Sequence, residues 1–210
     1  MQRDFDTSIV GIQLLFVFLL SFVEKCDTMS TAFKRKALPM EWNDIYDENR
    51  NRTGRLHRRG TPWKQGEYGL VVCVWVHDGE GNILLTRRAP QKSFGGTWEN
   101  SGGAAQTGES SRQAVARELF EETGIQKAED VFEFLSTTRD SHCFYDHYCV
   151  KAPVSLDQIV LQPGETDAVK WVDFETVHHM IERREICAVI AGQFLTKEKE
   201  LRKRQIAQEG

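Results

Sequence analysis

Residues 103–125, GAAQTGESSRQAVARELFEETGI, decide how this chain is read. From Ser110 to Thr123 the stretch has the marks of a helix: serines at its start, good helix formers through QAVARELFEE, and Gly124 where a left-handed cap ends it. Val115, Ala116 and Leu119 make the stripe such a helix buries. Glu118, Glu121 and Glu122 stand at i, i+3 and i+4, which puts three carboxylates on one face. Like charges at those spacings destabilise a helix by roughly 0.2 to 0.5 kcal/mol per pair, a cost unless cations offset it. Oxygen-only ligands select a hard dication, Mg²⁺ or Mn²⁺, over zinc. Arg117, four residues before Glu121, is placed to hold one carboxylate. Taken alone, an acidic run near a helix end is more often a solvated face.

The flanks supply the sheet. Tyr68 to His77 (YGLVVCVWVH) is rich in β-branched and aromatic residues, DGEGN makes a turn, and Ile83 to Arg87 resumes the apolar run, which predicts a hairpin. The loop APQKSFGGTWENSGG follows, with glycines where backbone must bend or approach something closely. Beyond the helix, Val131 to Thr138, Phe144 to Lys151 and Ala168 to Val172 read as strands, and Phe174 to Glu182 and the chain from Glu185 onward as helices. Strands on both sides of a helix give an α/β layered domain. Upstream, Glu41 to Gly66 is polar and turn-rich and reads as a hairpin or arm packed over the domain.

The spacing is more specific than the acidic face. Gly103, five residues, Glu109, seven residues and then Arg117-Glu118-Leu119-Phe120-Glu121-Glu122-Thr123-Gly124-Ile125 resembles the complete Nudix box, with every fixed position filled over 23 residues. The resemblance implies a Nudix-type α/β/α sandwich with a mixed sheet and the loop-helix-loop motif. It implies a metal-dependent hydrolase that cleaves a diphosphate linkage in a nucleoside diphosphate-X or related small molecule. Glu118, Glu121 and Glu122 would hold Mg²⁺ or Mn²⁺ together with the Gly103 carbonyl. Glu118 or a nearby acid would act as base, Arg117 and Glu121 would share the catalytic work, and Glu109 would support the site from the loop. Arg87 or Arg88 would grip the diphosphate, with a surface ion pair as the plainer role for each. Trp98 occupies a common aromatic position, for base stacking or, more often, core packing. Glu165, in PGETDAVKWVD, resembles a distal supporting carboxylate, against the plainer role of a solvated loop acid. Structural roles are the expectation for His57, His142 and His147, and isolated surface charge for Arg50, Arg52, Arg55, Arg58 and Arg59.

GNILLTRRAPQKSFGGTWENSGG also resembles the isopentenyl diphosphate isomerase branch. That chemistry needs a cysteine donor and a histidine-rich metal site just before the helix, where this chain has Gly102, Gly103 and Ala104, and it has Tyr68 where a histidine ligand belongs. A binding protein that has lost turnover usually lacks a box carboxylate, and here Arg117, Glu118, Glu121 and Glu122 are all present. Hydrolysis is the favoured reading.

A chain of 210 residues with 40% hydrophobic residues buries one substantial core, so the expected division is an extension (1–40), an arm (41–66), the catalytic domain (67–195) and a charged, solvated helix end (196–210). A formal net charge of -4 offers no basic face, so no stable nucleic-acid binding is expected, and a homodimer is left open. The five cysteines form no CxxC pair and read as reduced thiols of a cytoplasmic protein. Ile9 to Val23 is apolar, but it lacks a cationic flank and a small-x-small cleavage site and is short for a span of roughly 20 residues. A non-native start is expected there, with a membrane anchor as the alternative.

Overall fold

The computed structural model describes residues 41–206. The extension 1–40, with its apolar run 9–23, and the last four residues of the charged tail lie outside them. Among the described residues no helix is long and apolar enough to cross a membrane.

Strands β1 (Trp42–Tyr46) and β2 (Arg52–Arg58) pair antiparallel as the arm. The main sheet has seven strands: β3 (Gly69–His77), β4 (Asn82–Arg88), β5 (Trp98–Glu99), β6 (Ser101–Ala104), β7 (Glu133–Arg139), β8 (Cys143–Lys151) and β9 (Thr166–Asp173). Among the described residues three α-helices complete the fold: α1 (Ser111–Thr123), α2 (Phe174–Glu182) and α3 (Ala188–Ile206). β3 runs parallel to β8 and antiparallel to β6, while β4 pairs antiparallel with β9 and β5, which makes the sheet mixed.

The expected β3–β4 hairpin forms, but only as a short one. The two strands share one pair, His77 with Ile83, and then part. β3 takes β6 and β8 as its partners and β4 takes β9, because each strand buries both faces and gains more from those ladders than from its neighbour in sequence.

Alternation along the strands feeds two cores. Leu70, Val72, Val74 and Val76 pack with Val115 and Leu119 of α1, and with Phe132 and Tyr148. Trp75, Ile83 and Leu85 pack on the other side with Val177 and Met180 of α2 and Ile190, Phe194 and Leu201 of α3. The product is an α/β/α sandwich. The burial of Leu119 contributes about 1.5–3 kcal/mol and seats α1 on the sheet. Ala114 and Thr123 join Val115 and Leu119 in the buried stripe, and Ala116 is only half-buried.

Two expectations at the C-terminal end change. Helix α3 begins at Ala188, not Glu185, because Glu185 and Cys187 hydrogen-bond to the Trp98 backbone at 2.8 and 3.2 Å in an extended segment. The charged tail is not merely solvated: Leu201 is 1% exposed, Glu198 meets His178, and Arg204 pairs with Glu133.

Candidate active site

Helix α1 is set by its ends. Ser110 accepts from the Gln113 amide at 3.2 Å and Gln113 Oε1 accepts from the Ser110 amide at 2.9 Å, a reciprocal cap. At the other end Gly124 adopts φ 72°, a conformation that costs residues with a Cβ about 1–2 kcal/mol. Between these caps, four charged side chains of α1 turn toward the loop after β6.

Arg117 is the hub. Its Nε and Nη2 donate to the two oxygens of Glu109 at 2.7 and 3.0 Å, and Nη2 also donates to the Ala104 carbonyl at 3.1 Å. Its Nη1 spans Glu118 at 2.8 Å and Glu121 at 3.0 Å. The guanidinium is thus fixed by the loop and in turn fixes two carboxylates of the box. Burial alone would raise the Glu109 pKa, but the Arg117 bonds and the Gln106 amide outweigh it and hold the group below its usual range.

Glu118 sits against Gly103. A Cβ on that glycine would lie 2.4–2.5 Å from the carboxylate, so the loop backbone and the acid occupy one cradle that a side chain would fill. Burial raises the Glu118 pKa against the opposing pull of Arg117. Glu122 reaches toward the Gly102 amide, 3.3 Å away, and burial together with Glu118 and Glu99 pushes it up to about 8. Glu121 is the most exposed of the three.

Glu99, missed in the sequence, belongs to this cluster. It points from β5 toward Glu122, is raised by burial, and takes two bonds from Arg88 at 2.7 and 2.8 Å. The alternation of Trp98 and Glu99 beside the glycine pair was the available signal. Glu165 is paired with Lys92.

The remaining candidates are not gathered here. Arg87 and Trp98, opposite each other in the β4–β5 pair, project from the sheet face away from α1. Trp98 packs against the second core with Lys170 4.1 Å from its ring centroid, and Arg87 lies 5.8 Å from that centroid and bonds Asp167 at 2.7 Å. Of the two arginines Arg88 alone faces the carboxylates, and Glu99 engages it. His57 stacks on Trp63 with centroids 3.6 Å apart, and His147 is buried against Thr138 at 2.9 Å.

The donor set suits a hard dication: Glu118, Glu121, Glu122 and the Gly103 carbonyl are all oxygen, and one arginine, Arg117, stands against three carboxylates of α1. Among the described residues no three acidic, histidine or cysteine side chains are already drawn into one cation cage, and Arg117 lies between Glu118 and Glu121.

An α/β/α sandwich that presents a loop-helix-loop of carboxylates bound to one arginine is the arrangement that comparison with known proteins identifies. The NUDIX domain model matches residues 67–188, and the chain belongs to the Nudix hydrolase family. It is similar to an uncharacterized Nudix hydrolase of Listeria monocytogenes, 32% identical over 143 residues that cover 64% of this chain and 80% of that one. It is also similar to an isopentenyl-diphosphate Delta-isomerase of Halorhodospira halophila, 32% identical over 141 residues, 63% of this chain and 79% of that one. A crystal structure from Deinococcus radiodurans shares the fold with a TM-score of 0.61 at 22% identity, covering 73% of this chain and 96% of that one.

Proposed function

We propose that the protein hydrolyses a diphosphate linkage in a nucleoside diphosphate-X or related small molecule with Mg²⁺ or Mn²⁺. The observation that carries this reading is the Glu109–Arg117 clamp, which holds Glu118 and Glu121 beside the Gly103 backbone. Glu118, Glu121 and Glu122 would hold the dication with the Gly103 carbonyl. When bound, it supplies Lewis-acid neutralisation of the diphosphate charge and makes water a better nucleophile. Glu118, half-buried and held by Arg117, would be the residue to take a proton from the attacking water. Arg117 keeps Glu118 and Glu121 from swinging away, and Glu109 keeps Arg117 in place. Arg88 is the side chain nearest in kind to a diphosphate grip, with Glu99 as its resident partner.

The isomerase relative makes carbon protonation the rival chemistry. At Gly102 and Gly103 there is no side chain to donate a proton. Cys73, opposite Gly102, points to the other face of the sheet beside Gln193, and burial pushes its thiol up to about 12. The deciding experiment incubates the chain with a panel of nucleoside di- and triphosphates, nucleotide sugars, dinucleotides and isopentenyl diphosphate, with Mn²⁺ or Mg²⁺, and separates the products. Release of phosphate or a nucleoside monophosphate supports hydrolysis. Dimethylallyl diphosphate formed at an enzymatic rate overturns it.

A further inference from the structure

The segment matched by the family model begins at Glu67, yet residues before it hold the loop that follows Gly103 and carries Glu109. Asn43 Nδ2, on a side chain 6% exposed, donates to the Ala105 carbonyl at 2.7 Å. The Thr107 amide donates to the Trp42 carbonyl at 3.0 Å. The Gly108 amide donates to Asp44 Oδ2 at 2.9 Å, and Arg52 Nη2 donates to the Glu109 carbonyl. Residues 105–109 are thereby fastened almost one by one to β1 and β2.

The turn of the same hairpin reaches the helix. Arg50, with φ 65°, donates to Asp146 and to Thr137, the latter at 2.7 Å. Asp146 is 1% exposed and accepts from Ser111 Oγ, the first residue of α1, at 2.5 Å. Loop and helix, the two halves of the motif, are gripped by one hairpin at its two ends.

We infer that hairpin 41–58 is a positioning element of the metal site and that Asp44 is its principal positioning residue. The inference rests on the metal-dependent reading above. Its physical path is short. Asp44 fixes the Gly108 amide, which sits in a left-handed turn (φ 86°) immediately before Glu109; Glu109 fixes Arg117, and Arg117 fixes Glu118 and Glu121. Partners bonded directly to ligands commonly change metal affinity or activity about 10–100-fold when removed; Arg117 is that partner here, and Asp44 acts on it through Gly108 and Glu109, so its effect lies at the low end of that range. The bland alternative is a hairpin that adds stability without shaping the site.

The test uses the full chain and four variants: Asp44→Ala, Asp44→Asn, Thr53→Val and Glu121→Gln. Mn²⁺ affinity is measured by calorimetry, amide hydrogen exchange at Gly108 is measured in metal-free protein, and kcat and KM are measured on whichever diphosphate the panel identifies. Asp44→Ala is expected to weaken Mn²⁺ by up to about tenfold and to expose the Gly108 amide, with KM at saturating Mn²⁺ unchanged. Asp44→Asn keeps an acceptor oxygen and recovers most of the affinity. Thr53→Val removes a bond internal to the hairpin, Thr53 Oγ1 to the Ile45 carbonyl at 2.8 Å, and leaves Mn²⁺ affinity unchanged. Wild-type affinity in Asp44→Ala, or an equal loss in Thr53→Val, overturns the inference. If Asp44→Ala fails to fold, Arg52→Ala, whose side chain is partly exposed, is judged by the same criterion. A wild-type chain that does not bind Mn²⁺ sinks the metal-dependent reading and the inference together. Binding that Glu121→Gln abolishes and Asp44→Ala leaves intact sinks the inference alone.

Discussion

Facing α1, the sheet carries Glu99 with its Arg88 partner and Asp146 with Arg50, Ser111 and Thr137. Facing α3, the same strands carry Trp75, His77, His147 and Cys149, and among the described residues Trp75 Nε1, both ring nitrogens of His77 and His147 Nδ1 have no hydrogen-bond partner. One face sets arginines beside its acids. On the other, burial keeps the titratable groups neutral: it lowers His77, takes His147 to about 4 and pushes the Cys149 thiol up to about 12. The contrast teaches that function and stability are separated across a sheet about one side chain thick. Arginines stand among the acids where chemistry is proposed, and on the other face packing does the holding.

That separation is breakable. The largest effect is expected on the neutral face, where Leu201→Ala should cost about 2–5 kcal/mol of stability in a denaturant titration while the folded enzyme keeps its turnover. A loss of turnover without a loss of stability would place α3 in the catalytic machinery. Next, Glu121→Gln should lower turnover about a hundredfold, equivalent to about 2.7 kcal/mol, with the melting temperature unchanged or slightly raised as like-charge repulsion falls. Equal losses of both would dissolve the contrast.

Metal and pH sharpen it further. Mn²⁺ at a hundred times its dissociation constant should stabilise the fold by about 2.7 kcal/mol, and excess chelator should abolish both that gain and turnover. Glu122 sets the pH dependence of the gain. Its folded pKa of about 8 lies above the ordinary 4.5, so its contribution is fully present below pH 4.5 and is lost as pH rises through 8. Metal-free protein should therefore weaken across that window and Mn²⁺ should restore more stability at its upper end, as thermal melts at paired pH values will measure. A gain that shrinks as pH rises would contradict the assignment.

The smallest effect lies with His147, and its sign is opposite. Its folded pKa of about 4 lies below the ordinary 6.5, so stability is complete above 6.5 and is lost as pH falls toward 4. From about pH 6 to about pH 5 the loss is about 1 kcal/mol, and His147→Asn should flatten that part of the profile. An unchanged slope in the variant would assign the acid limb to His77 or to other groups.

What was legible in the sequence is what is local. Ser110 and Gly124 bound α1 because cap chemistry is written within a few residues, and the i, i+3, i+4 acids share a face by helix geometry alone. Pairing partners are not local. DGEGN marks the turn between β3 and β4 correctly, but nothing in it states that β3 will prefer β8, whose first residue is Cys143. For the same reason Glu99 and Asp146 passed unnoticed: each is a lone acid in a strand, and its meaning comes from Arg88, Glu122, Ser111 and Arg50 arriving from elsewhere. Arg87 and Arg88, adjacent in sequence, part to opposite faces because a strand alternates. The burial of Leu201 within a run of charges was hidden by the composition of that run.

The parallel ladder of β3 and β8 joins residue 69 to residue 143, and everything between them, including the loop, α1 and its acids, is the crossover that a parallel pair demands. The order of assembly follows from that topology. The long loop must close before this ladder repays its entropy, and α1 supplies the apolar face on which the closure settles. The carboxylate helix thus lies inside the crossover that this ladder encloses. In a nascent chain the ladder partner β8 arrives well after α1 itself has been synthesised.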